Sequence, residues 1–313
     1  MGEQAKKIGE KLEGFGAVFF DGLGWTELSR DKEIKCSRPS HKKRTHGIDL
    51  LFKFPNPYSA SMQGIIVECK NRQMRSIGKD DIETWIKELI GTIECATSAP
   101  ELADIDLDGT SLNTGLLLVH ANDEFDEKKF YEHLRGLHFT SRRTPINIFV
   151  AGNDKINQWT SVFTKIKDYG DSFYLLFPSI NGYSKRLQKE VPINALYSKY
   201  VLAERTYYTE ENNGAGNYQF PHKESIMFFL DDICVDNFCY AWSMFKHFQM
   251  QGNEKYVFSF YPRKTGDVDF IKEHFLSAIK HGDKLFSDSE RQKITLDYID
   301  NRNLSPVETG GQS

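Results

Sequence analysis

Apolar positions in this 313-residue chain change their spacing several times, and each change predicts an element. Ile8, Leu12, Phe15, Phe19 and Leu23 recur at intervals of three and four, which predicts a helix over residues 3–22 with one apolar face. Gly22-Leu23-Gly24-Trp25 ends it, because glycine caps a helix well and propagates it poorly. Residues 26–37 then lead into a polar stretch. Two apolar runs follow, Thr45–Phe54 and Gly64–Arg72. The turn-rich linker Pro55–Ser61 joins them into a predicted β-hairpin. Ile82, Trp85, Ile86, Leu89, Ile90 and Ile93 line one side of a predicted helix over Asp80–Thr97. Beyond it, strands at Leu116–His120 and Ile146–Ala151 alternate with helices at Glu127–Leu137 and Lys155–Tyr169. Phe173–Phe177 reads as the last strand of this unit. Strands alternating with helices imply an α/β sheet.

Pro178, Asn181-Gly182 and Pro192 interrupt the pattern, and Lys185, Arg186 and Lys189 make the stretch polar. The alternation then restarts, with strands at Ile226–Leu230 and Lys255–Tyr261 and helices at Val235–Met250 and Asp267–Ile279. This predicts a first domain over residues 1–180, a second, smaller α/β domain over 190–302, and a disordered polar tail over 303–313. Asn212–Gly216 reads as a mobile loop. The aromatic group Phe228, Phe229, Phe238, Tyr240, Trp242, Phe245 and Phe248 is expected to be mostly core of the second unit. Trp85 and Trp159 are likewise expected in the core.

Charge changes the picture in two places. The net charge of −4 excludes a uniformly basic nucleic-acid binder, so any phosphate contact must come from local patches. Two such patches exist. Residues 34–48 contain no acid and carry Lys35, Arg38, Lys42, Lys43 and Arg44. Lys70, Arg72, Arg75 and Lys79 form a second acid-free run. The five cysteines, Cys36, Cys69, Cys95, Cys234 and Cys239, show neither a CxxC pair nor zinc-finger spacing, so free thiols in a reducing cytoplasm are expected. The N-terminus lacks the apolar core of a signal peptide, and no run approaches ~20 apolar residues, so no membrane span is expected.

Most short motifs fail on chemistry. Asp104–Gly109 imitates the start of a calcium loop, but Gly115 stands where the bidentate glutamate belongs. GxxxxGK[ST], GxGxxG, HExxH and GxSxG are absent from the sequence. Cys69, in an apolar strand, reads as a buried inert thiol. His46 reads as a strand-edge residue, and Asn71 and Gln73 as side chains able to hydrogen-bond nucleic acid.

The hairpin is different, because both of its apolar strands carry charge. Asp49 breaks the first run; Glu68 and Lys70 break the second and share one face, since strand side chains alternate. A buried carboxylate is costly unless it is paired or holds a metal. Two carboxylates and an ammonium on paired strands therefore point to a metal site.

The spacing D-(x)18-E-x-K resembles that of the PD-(D/E)xK nuclease superfamily, the restriction-endonuclease-like fold. The resemblance covers roughly residues 5–120. Gly47-Ile48-Asp49 stands for the first motif, with glycine in place of proline, and Glu68-Cys69-Lys70 for the second. Gly9, Leu12-Glu13 and Leu23-Gly24-Trp25 match the N-terminal helix of Mrr-like restriction enzymes and related resolvases. The resemblance implies a mixed sheet flanked by helices and a Mg2+-dependent endonuclease, with Mn2+ able to substitute. It implies metal ligation by Asp49, Glu68 and the backbone carbonyl of Cys69. Lys70 would orient the attacking water, and Glu13 would be an outer or second-metal ligand. DNA is the implied partner, held by Lys42, Lys43, Arg44, Arg72, Arg75 and Lys79. Defence against foreign DNA is the implied setting, with DNA repair second; because an always-active nuclease would harm its host, gating by a homodimer, a larger assembly or a second protein subunit is expected. The rival readings are an inactive nucleic-acid-binding scaffold on the same fold and an RNA-directed nuclease.

Overall fold

The apolar stripes find their partners in two mixed sheets, each flanked by helices. This computed structural model describes residues 2–59, 61–139, 145–170, 172–178, 185–212, 217–230, 252–261 and 292–300. It also describes residues 240, 242–245, 247, 248, 250, 270, 273, 274, 277 and 289. The chain divides into compact units over residues 1–157 and 158–302.

In the first unit, α1 (Gly2–Gly22) precedes β1 (Thr26–Lys35), β2 (Thr45–Pro55) and β3 (Met62–Arg72). Then come α2 (Lys79–Ala96), β4 (Thr110–Ala121), α3 (Glu127–Arg135) and β5 (Asn147–Ala151). The sheet order is β1-β2-β3-β4-β5. The first three strands pair antiparallel, whereas β3-β4 and β4-β5 are parallel. Parallel neighbours need a crossover, and α2 supplies the one from β3 to β4.

The buried side of α1 is Leu12, Ala17, Phe20 and Leu23, rather than the predicted Phe15 and Phe19, which are only half-buried; Ile8 lies outside the described side chains. Phe20 stacks on Trp25, which stacks on Phe54, each at 4.6 Å between ring centroids. That pile locks the end of α1 to β2. On α2, Ile82, Ile86, Leu89, Ile90 and Ile93 are all buried as predicted, and Trp85 packs half-buried beside them. Gly115 of β4 lets the helix close in, because a Cβ there would lie 2.9 Å from Leu89.

Strand β1 was not expected. Its residues alternate charges with almost no apolar content, and only Ile34 is buried. It forms because β2 offers it a ladder, with a register shift between Glu27 and Ser29. Asp31 sits in the left-handed region, φ 48°, between the paired positions Arg30 and Lys32.

Helix α4 (Asn153–Lys167) begins in the first unit and continues into the second, which then holds β6 (Phe173–Pro178), β7 (Lys185–Gln188), α5 (Ile193–Leu196), β8 (Tyr200–Asn212), β9 (Asn217–Phe229), β10 (Lys255–Phe260) and β11 (Ile294–Tyr298). The sheet order is β11-β10-β9-β8-β6-β7. Phe173–Phe177 was expected as the last strand of the first unit. It pairs instead with β7 and β8, because its apolar run completes this second sheet. The long β8–β9 hairpin also escaped the sequence reading, which expected only Ile226–Leu230, the apolar end of β9. Phe228, Phe229, Trp242 and Phe245 are buried as expected, while Tyr240 is exposed. Trp159 is buried and its indole N–H donates to the Leu196 carbonyl. Most of the helices predicted at Val235–Met250 and Asp267–Ile279, the Asn212–Gly216 loop beyond Asn212, and the 303–313 tail lie outside the described residues. Among the described residues no helix is long and apolar enough to cross a membrane.

Candidate active site

Strands β2 and β3 bring Asp49, Glu68 and Lys70 together. Leu50 pairs with Val67, so the register sets Asp49 beside the Glu68-Cys69 step. The Asp49 Oδ2 atom accepts the backbone N–H of Cys69 at 2.7 Å. Lys70 Nζ donates to Glu68 Oε1, and both side chains are largely buried, 18% and 12% exposed. Cys69, between them in sequence, is buried on the other face.

The electrostatics follow from burial. Desolvation pushes the Asp49 carboxyl above its ordinary value; the Cys69 N–H and Lys70 oppose that, and Asp31 adds to it. Burial and then Asp49 push Glu68 up as well, against Lys70. Burial alone would lower Lys70, but Glu68 and Asp49 outweigh it and hold the ammonium above its ordinary value. Burial raises the Cys69 thiol well above the usual range, so it stays protonated and inert, as the sequence suggested. The site thus concentrates negative charge that one ammonium compensates in part.

Residues 1–155 match the family defined by the PD-(D/E)XK nuclease domain of GAPS4 protein. This part of the chain is a PD-(D/E)XK nuclease domain. No curated protein matches the chain. A nuclease domain is by class a phosphodiester hydrolase.

The remaining expected residues are more scattered. Glu13 of α1 is half-buried, and its charge reaches the Cys69 thiol and Arg30. Lys42, Arg44, Arg72, Arg75 and Lys79 are exposed. Lys43 is also exposed, but its ammonium pairs with Glu88 at 2.5 Å. Lys42 adopts a left-handed backbone, φ 52°, just after the short turn Pro39–His41. Asn71 and His120 are buried neighbours, with Asn71 Oδ1 3.4 Å from His120 Nδ1, so Asn71 serves the core of the nuclease domain. Gln73 is exposed.

Two acidic residues near the PD-(D/E)XK centre escaped the sequence reading. Glu88 of α2 acts on both Glu68 and Lys70, and Asp31 acts on Asp49. Glu88 sits on the polar side of an amphipathic helix, where a glutamate carries no signal. Asp31 needed β1 to be recognised first.

Proposed function

We propose that the chain is a Mg2+-dependent endonuclease that hydrolyses DNA phosphodiester bonds in the cytoplasm, in defence against foreign DNA. The observation that carries the proposal is the assembly of Asp49, Glu68 and Lys70 on adjacent strands inside a PD-(D/E)XK domain. Asp49, Glu68 and the Cys69 backbone carbonyl are hard oxygen donors of the kind Mg2+ or Mn2+ takes. Burial that pushes both carboxyls up marks a place where a cation relieves the crowding of negative charge. When bound, the ion lowers the pKa of a coordinated water and neutralises charge developing on the phosphate.

The chain's own residues do the rest. Lys70, kept charged by Glu68 and Asp49, donates to the attacking water or to a non-bridging phosphate oxygen. The Cys69 N–H fixes the orientation of Asp49. Glu13 of α1, whose charge acts on the Cys69 thiol, serves as an outer ligand. Exposed Lys42, Arg44, Arg72, Arg75 and Lys79 hold the phosphate backbone, positioning the duplex rather than reading its sequence. Cutting both strands needs paired sites, so a homodimer, a larger assembly or a second subunit gates activity, and the second unit is the place for that contact.

The test incubates full-length protein and Mg2+ or Mn2+ with supercoiled plasmid, matched linear DNA and matched RNA, comparing wild type with Asp49→Ala and Lys70→Ala. The expected result is internal cleavage of DNA by the wild type only. Equal behaviour of all three proteins would overturn catalysis in favour of a scaffold, and faster loss of the RNA would reassign the substrate.

A further inference from the structure

We propose that Cys36, His41, His46 and Cys95 bind a structural zinc ion, a second metal centre independent of the nuclease reading. The four side chains come from different elements. Cys36 follows β1, His41 closes the turn Pro39–His41, His46 is the second residue of β2, and Cys95 lies near the end of α2. One donor atom from each lies within 4.8 Å of all the others.

Four of the six separations match the edges of a tetrahedron, and the two from His46 to the sulfurs lie within 4.8 Å. Zinc bonds of about 2.3 Å to sulfur and about 2.0–2.1 Å to imidazole nitrogen imply edges of about 3.8 Å for S···S, about 3.5 Å for S···N and about 3.3 Å for N···N. Cys36 Sγ and Cys95 Sγ are 3.8 Å apart. His41 Nδ1 is 3.5 Å from each sulfur and 3.4 Å from His46 Nε2. A disulfide would need the sulfurs at about 2.05 Å.

Each sulfur has a hydrogen-bond partner outside the cluster, Cys36 Sγ–H donating to the Arg38 carbonyl at 3.3 Å and Ser37 Oγ–H donating to Cys95 Sγ at 3.6 Å, but these do not account for the contacts within it. The His41 Nε2–H donates to Glu94 at 2.9 Å, which leaves a lone pair on Nδ1. Three groups crowd that single lone pair: two sulfurs and the His46 ring nitrogen. A cation at their centre would satisfy all four donors at once. The Glu94 carboxylate behind His41, itself held by Arg38 at 3.2 Å, is the outer partner a zinc-bound histidine takes. Gly91 of α2 leaves room for both rings, since a Cβ there would lie 3.2 Å from His46 Cε1 and 3.6 Å from His41 Nδ1. Two sulfurs and two imidazoles in tetrahedral array select zinc, and four protein ligands leave no open position for catalysis.

The consequence is mechanical. Binding displaces the thiol protons of Cys36 and Cys95 to solvent and ties the 36–44 loop and the start of β2 to the end of α2. That loop carries Lys42, Lys43 and Arg44, and β2 carries Asp49 three residues after His46.

The test measures metal in full-length protein purified with reductant and without added zinc. About one zinc per chain is expected, retained by Asp49→Ala and lost in His41→Ala and in the Cys36→Ser/Cys95→Ser double variant. After chelation, Co2+ added to wild type should give tetrahedral d–d bands with thiolate charge transfer, a readout that needs no variant to fold. The proposal falls if wild type holds no zinc and added Co2+ gives no thiolate band. It falls equally if non-reducing mass spectrometry of freshly isolated protein shows Cys36 joined to Cys95.

Discussion

Asp49 is held by its neighbour in the adjacent strand, because its Oδ2 accepts the Cys69 backbone N–H at 2.7 Å. The carboxylate therefore does two jobs, pinning β2 to β3 and supplying a negative oxygen, and the two can be separated. Asp49→Asn keeps an acceptor for the Cys69 N–H but loses the charge that burial disfavours. DNA cleavage should fall by about 100-fold or more, while the melting temperature stays level or rises. Asp49→Ala should lose both cleavage and stability. Cleavage by Asp49→Asn at the wild-type rate would remove Asp49 from the chemistry.

Glu68 and Lys70 form a largely buried pair, so removing either leaves the other buried without its counter-charge. Lys70→Met leaves a buried carboxylate without its ammonium and should cost roughly 1–3 kcal/mol in denaturant unfolding. Adding Glu68→Gln should recover most of that stability and none of the cleavage. If the double variant is no more stable than Lys70→Met, the pair is not the source of the cost.

The exposed cations should not contribute equally to DNA affinity. Arg72 and Arg75 are exposed, whereas Lys43 is already engaged by Glu88. Arg72→Ala and Arg75→Ala should each weaken DNA binding and lower the slope of log affinity against log salt by about 1. Lys43→Ala should change that slope less, since part of its charge is spent on Glu88. Fluorescence anisotropy over a salt series, with an inactive Asp49→Asn background, measures all three.

What the sequence makes legible depends on contrast. Asp49, Glu68 and Lys70 stand out because each interrupts an apolar β run, and α2 stands out because five buried apolar residues keep a helical period. Strand β1 has no such background: its one buried residue, Ile34, gives no alternation to detect, and its ladder comes from β2. Phe173–Phe177 reads correctly as a strand, but an apolar run does not say which sheet it joins. The Cys36, His41, His46 and Cys95 cluster is invisible for a further reason. Its ligands come from a loop, a strand and a helix end, so only the fold creates their spacing. His46 alone looks like a strand-edge histidine.

His120 of β4 gives the first domain a built-in acid sensitivity. It is 4% exposed, and burial pushes its imidazole down to about 4. In the unfolded chain the same ring titrates near its ordinary value of about 6.5. Protonation therefore favours the unfolded state between those values. The contribution is fully present above about pH 6.5 and is lost as the pH falls toward 4. The difference amounts to about 3 kcal/mol at most. Asp49 and Glu68, whose carboxyls are raised, act with the opposite sign, so wild-type stability alone would blur the effect. The measurement is the difference between wild type and His120→Gln in urea unfolding at pH 7.5, 6 and 5. The wild type should lose stability relative to the variant at each step down. A constant difference across the series would mean that His120 is protonated as readily folded as unfolded.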